Sequence, residues 1–106
     1  MLYFEQQNYS AAVKNLAKAA ELGVNDALLF NYLGICYDRV GQLSKAVETY
    51  RHALELQENL AEAHLNLGYT YQRLGRQAAA MSEYQRACQL NQNFCKLVSP
   101  RQENFK

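Results

Sequence analysis

Two short stretches of the 106-residue chain set hydrogen-bonding side chains beside apolar ones at spacings of three and four residues. Asn31, Ile35, Asp38 and Arg39 form the first set, accompanied by Leu28 and Tyr32. Leu65, Asn66, Tyr69, Gln72 and Arg73 form the second, preceded by Glu62. On a helix, such spacing gathers each set along one side. Ile35, Leu65 and Tyr69 are too apolar for a purely solvated surface, and an apolar stripe flanked by amides and charges is the chemistry of a peptide-binding surface. The competing reading is that these side chains touch a neighbouring helix and only complete a core. Arg39 and Arg73 allow two roles as well. They grip carboxylates bidentately, or, the preferred reading, each offsets the negative end of its own helix, an effect of about 0.3–1 kcal/mol.

No catalytic set is visible. His52 and His64 are the only histidines. A cysteine–histidine nucleophile would require Cys36 or Cys88 within hydrogen-bond reach of one of them and a third, orienting group; nothing in the spacing demands this. Cys36 and Cys88 are expected as small buried hydrophobes. Three cysteines, Cys36, Cys88 and Cys95, form no C-x-x-C pair and fit neither a disulfide framework nor a zinc site. A reducing, cytoplasmic setting is therefore expected, with neither metal nor cofactor. No phosphate loop, H-E-x-x-H or paired-carboxylate signature is present, so the expectation is a protein that is not an enzyme.

Lys plus Arg number 11 against 10 for Asp plus Glu, and this balance argues against nucleic acid or an anionic membrane as a partner, since both select basic surfaces. Residues 1–8 lack the basic and apolar regions of a signal peptide. No apolar run approaches the roughly 20 residues of a membrane span. One proline, five glycines and no tryptophan, with abundant Ala, Leu, Gln and Glu, make helical material.

The chain repeats itself. At an offset of 34 residues Gly34 falls on Gly68 and Gly41 on Gly75, together with Leu33 on Leu67, Tyr37 on Tyr71, Ala46 on Ala80, Tyr50 on Tyr84 and Ala53 on Ala87. One period earlier Tyr3, Ala12, Ala19 and Leu22 keep the register. Each period holds two amphipathic helices parted by a glycine, and Gly41 and Gly75 are expected to end the first helix of each pair in the left-handed conformation. Short connections imply antiparallel neighbours. The small residues let helix axes approach while the tyrosines fill the space beside them.

Phe30-x2-Leu33-Gly34-x2-Tyr37 followed by Ala46-x3-Tyr50-x2-Ala53, and His64-x2-Leu67-Gly68-x2-Tyr71 followed by Ala80-x3-Tyr84-x2-Ala87, resemble the tetratricopeptide repeat. His64 departs from the usual aromatic and is expected in its packing slot. Val24, Glu58 and Gln92 stand where the family often has proline. The resemblance implies an all-α fold, a right-handed α-solenoid of antiparallel helix pairs. Residues 1–94 would form the array, with a partial repeat at 1–26 and repeats at 27–60 and 61–94, and residues 95–106 a capping segment or tail. It also implies a non-catalytic scaffold that holds a peptide or protein segment in a concave groove lined by the first helices. Of the five groups in the family's carboxylate clamp only Asn66 and Lys96 have counterparts, so that form of recognition is not implied.

Both ends carry expectations of their own. Leu2, Tyr3 and Phe4 are all that would remain of the first helix of the first pair, leaving an open face on which a homodimer could form. Self-association, or service as a regulatory fragment of a larger repeat protein, is therefore the alternative function. Asn91 to Val98 would begin a capping helix, and Ser99 with Pro100 resembles a further helix start.

Overall fold

The structure, a computed structural model, describes the backbone of residues 2–97 and the side chains of residues 8–96. Five helices follow one another: α1 (Leu2–Glu21), α2 (Ala27–Arg39), α3 (Leu43–Leu56), α4 (Ala61–Arg73) and α5 (Gln77–Leu90). A 3-10 turn, Gln92–Leu97, follows. Among the described residues there is no strand. Each helix packs on the next in chain order, α2 also touches α4, and the 3-10 turn lies on α5. The result is an elongated α-solenoid of helix pairs, 49 × 32 × 21 Å.

The helix boundaries follow from local chemistry. Asp26 caps α2, its carboxylate accepting from the Leu28 N–H at 3.0 Å. Gly41, at φ 89°, ends it: the Gly41 N–H donates to the Asp38 carbonyl (3.0 Å) and the Gln42 N–H to that of Tyr37 (2.9 Å). This pair of bonds satisfies carbonyls that the helix end would otherwise leave open. Gly75, at φ 80°, repeats the device, with Gly75 and Arg76 donating to Gln72 and Tyr71.

The expected remnant of a separate helix at Leu2–Phe4 is corrected by the structure: α1 runs unbroken from Leu2 to Glu21. One period before Gly41 stands Gln7, and without a glycine nothing at that point favours the left-handed turn that divides the later pairs.

The core is a stack of small and large residues. Ala46, Tyr50, Leu67, Tyr71, Ala80 and Tyr84 form one buried cluster, flanked by Ala27, Leu60 and Ala63 in a second. The closest approach is between a first helix and its partner. A Cβ placed on Gly34 would lie 2.6 Å from Cε1 and 2.7 Å from Cδ1 of Tyr50, and one on Gly68 would meet Tyr84 at the same two distances. Each glycine therefore holds the seat of a tyrosine ring, and the 34-residue period is a period of this contact.

The cysteines differ from expectation in part. Cys36 is a buried free thiol, as read from the sequence, but Cys88 and Cys95 are joined in a disulfide. The turn at Asn91 folds the 3-10 segment back onto α5, with 4.4 Å between the two Cα atoms. Spacing within the chain carried no sign of this, because the return at Asn91 brings the pair together. The expected helix start at Ser99 and Pro100 lies outside the described residues.

Two predictions follow from the core. Alanine is the better helix former by about 1 kcal/mol, yet Gly34→Ala should destabilise the fold by about 1–3 kcal/mol through the clash with the Tyr50 ring, read as a lower urea midpoint. Burial, reinforced by the charge of Asp38, pushes the Tyr50 hydroxyl well above the usual phenol range, and burial also raises the Cys36 thiol. The unfolded chain loses these protons first, so folded stability falls as pH climbs. From about pH 9 to about pH 11, as the unfolded phenol ionises, Tyr50→Phe should show a shallower fall than the parent in denaturant titrations.

Candidate functional site

Helices α2 and α4 lie side by side and present their matching faces to one cavity of about 360 Å³. From α2 come Ile35, Asp38 and Arg39; from α4 come Asn66, Tyr69, Gln72 and Arg73. Seven of the nine residues singled out in the sequence therefore meet in one place. The other two stand beside it. Asn31 accepts a hydrogen bond from the Asn66 amide at 3.1 Å, and Leu65 packs against the buried cluster. The competing reading of these stripes as core thus holds in part, for Leu65 and also for Ile35, which packs against the same cluster from the cavity wall.

Asp38 organises the polar side of the cavity. Its carboxylate accepts from the Thr70 hydroxyl and from the Arg73 guanidinium, and Arg73 also donates to the Asp38 backbone carbonyl at 3.2 Å. Arg73 stands in the last turn of α4, where the dipole reading puts it, and it also bonds the carboxyl end of α2, the equivalent helix one repeat earlier. Arg39 does something different again, its guanidinium carbon lying 5.8 Å from the centroid of the Tyr9 ring on α1. The two arginines share a register position but not an environment: Arg73 meets a carboxylate on α2, and Arg39 an aromatic ring on α1.

The apolar side rests on Tyr69, which is 43% exposed and meets Tyr84 edge to face with 5.6 Å between centroids. The Tyr84 hydroxyl donates to Gln72 Oε1 at 2.7 Å, which leaves the Gln72 NH2 group available as a donor. Asp38 is already occupied, so the polar groups the cavity offers are the donors of the Gln72 amide and the Arg39 guanidinium, together with the Asn66 amide, whose Oδ1 is an acceptor.

Two participants escaped the sequence reading. Tyr50 lines the cavity floor from α3, and the only hint was its pairing with Gly34. Thr70 is fully buried and bonds both Asp38 and the Asn66 carbonyl, the latter at 3.1 Å. Its signal was a hydroxyl at the core position that Cys36 fills one repeat earlier.

His64 stands in the register position of Phe30 with its side chain 13% exposed, and its contacts there are polar. Its Nδ1 lies 2.8 Å from Glu83 Oε1 and its Nε2 3.0 Å from the Glu58 carbonyl, so the ring bridges α4, α5 and the preceding turn. His52 is on α3 and meets Phe30 edge to face at 4.3 Å. No group of three or more metal-ligating side chains occurs among the described residues, and no helix among them is long and apolar enough to cross a membrane.

Comparison with known proteins agrees with this architecture. A family model described as "TPR repeat" matches residues 35–75, and one described as "Tetratricopeptide repeat" matches residues 61–94. No curated protein sequence matches the chain. Among solved structures, one of MamA superposes with a TM-score of 0.82 at 21% identity, covering 89% of this chain and 55% of that one, a likeness of fold alone. MamA from AMB-1 gives 0.77 at 27% identity, with coverages of 86% and 54%. MamA from Desulfovibrio magneticus RS-1 gives 0.76 at 25%, with coverages of 87% and 51%. The chain spans just over half the length of these structures. With the residue period, the stacked helix pairs and both family models in agreement, the chain belongs to the tetratricopeptide repeat family.

Proposed function

We propose that this chain is a non-catalytic scaffold that holds an extended peptide or protein segment in the groove between α2 and α4. Proteins of this repeat family serve in general as protein-interaction scaffolds. The observation that supports the finer reading is the composition of the α2–α4 cavity: an apolar wall of Ile35 and Tyr69 faces hydrogen-bond donors, while its one acid is already paired with Arg73 and hydrogen-bonded by Thr70. Extended peptides display backbone carbonyls at regular intervals, and a surface rich in donors satisfies them without leaving buried acceptors opposed. An aliphatic or aromatic side chain of the peptide would rest on Tyr69, with Arg39 taking a carboxylate or a carbonyl.

A second reading, a homodimer through the N-terminal edge, has one observation in its favour. Leu22 and Leu28, at the junction of α1 and α2, are 77% and 60% exposed, and Val24 between them is exposed as well. The corresponding positions one repeat later are Leu56, Glu58 and Glu62, so this apolar edge is a property of the first junction and not of the repeat.

Selection from a displayed library of random peptides tests the groove. Enriched peptides should bind the parent and lose at least tenfold in affinity, about 1.4 kcal/mol, with the Asn66→Ala, Tyr69→Ala double variant, whose helical circular dichroism should be unchanged. Peptides that bind the folded variant as tightly as the parent would place the site elsewhere. For the second reading, sedimentation equilibrium should reveal a mass that rises with concentration and returns to that of a monomer in Leu28→Glu. A monomer at every concentration removes the dimer.

A further inference from the structure

A second cavity, of about 310 Å³, opens on the other side of the array, where α1 and α3 flank α2. Its floor is Phe30, Leu33 and Tyr37, and its rim carries Glu21, Glu48, Thr49 and His52. The repeat explains why it is there. At the next junction α3 covers Tyr71 with Arg51 and Leu54, whereas at this one α1 presents Ala17 and Ala20 in the same register positions. With two methyl groups here the cavity reaches down to Leu33 and Tyr37, whereas at the next junction a cavity of about 320 Å³ lined by His64, Ser82, Glu83 and Arg86 stops short of Leu67 and Tyr71.

The filled junction shows what fits the vacant one. The Arg51 guanidinium carbon lies 5.9 Å from the centroid of the Tyr71 ring and the group donates to the Tyr71 hydroxyl, a combined cation–π and hydrogen-bonding contact at the hydroxyl end of the ring that suits a planar fork better than a point charge. Tyr71 is buried beneath it. Tyr37, its counterpart, is only half-buried, and among the described residues its hydroxyl has no hydrogen-bond partner. Lys45, from the hairpin of Tyr37 itself, brings its ammonium to 5.6 Å from the ring centroid, so the ring already acts as a platform for cations while its hydroxyl stays free. Both junctions place two acids in these positions, Glu21 and Glu48 here against Glu55 and Glu83, but the vacant one has Ala17 and His52 where the other has Arg51 and Arg86, so its acids face fewer cations. The one basic group that lines it is the imidazole of His52, whose ring is held against Phe30 and whose Nδ1 faces Glu55 at 3.4 Å.

We propose that the cavity over Tyr37 binds an arginine side chain of a partner protein, which reproduces on Tyr37 the contact that Arg51 makes on Tyr71. The aliphatic stem lies against Ala17, Ala20 and Leu33, the guanidinium sits at the hydroxyl end of the tyrosine ring and donates to that hydroxyl, and the carboxylates of Glu21 and Glu48 balance the charge. This site is on the opposite side of the molecule from the α2–α4 groove and stands or falls independently of it.

The test titrates the intact chain with N-acetyl-arginine methylamide and, separately, with its lysine analogue, following amide shifts by nuclear magnetic resonance. The arginine compound should produce saturable shifts at Ala17, Tyr37 and Glu48 in the millimolar range, with the lysine compound several-fold weaker. Tyr37→Phe, which keeps the ring, should weaken the arginine response about tenfold by removing the acceptor. Ala17→Arg should abolish it and raise the melting temperature, because the cavity is then filled from within. Equal responses to the two compounds, no saturable response to arginine, shifts confined to the α2–α4 groove, or an undiminished response in folded Ala17→Arg would each overturn the proposal.

Discussion

The architecture depends on how closely a first helix can approach its partner, and that distance is set by a ring lying on a backbone. Tyr50 occupies the space a side chain at position 34 would need, and Tyr84 does the same at position 68. Interiors are packed tightly enough that a methyl group in such a place displaces a ring. With the ring seated, Ala46 and Ala53 can sit fully buried on the second helix, and the pair closes. Buried surface then accrues by stacking, since a helix pair alone cannot cover its own apolar face.

Stacking also places the polar chemistry. Successive first helices come into register, so residues 35 positions apart meet across the groove: Asn31 with Asn66, and Asp38 with Arg73. The bonds between Asp38, Thr70 and Arg73 link two repeats through a mostly buried carboxylate, and a group of that kind is tolerated when its lone pairs are filled. Filling them leaves Asp38 with its partners inside the protein, while Tyr69 keeps an exposed face on the cavity. On the far side the same register has the opposite outcome. Where α1 offers alanines to a neighbour that expects an arginine and a leucine, a cavity remains.

The two surfaces therefore arise from one rule applied to unequal repeats. A period of 34 residues sets the positions, and departures from it decide which positions are filled. Glu58 and Glu62 replace Val24 and Leu28, Arg51 replaces Ala17, and Thr70 replaces Cys36. Each departure has a local physical effect: a wetter junction, a covered tyrosine, a bonded aspartate. Function in a repeat protein is written in such differences, because whatever all repeats share is used to hold them together.

The helix pairs, their glycine ends and the membership of most groove residues were legible in the chain, because each rests on short-range spacing: three or four residues for a helical face and 34 for the stack. The disulfide between Cys88 and Cys95, the unbroken α1, the polar bridge at His64 and the buried hydroxyl of Thr70 were not. Each depends on which atoms meet after the chain has turned back on itself, and a residue's type does not state its partner. Periodicity determined what kind of surface each helix carries; only the stacked arrangement decided which charges are neutralised, which ring is covered and where space is left for something else.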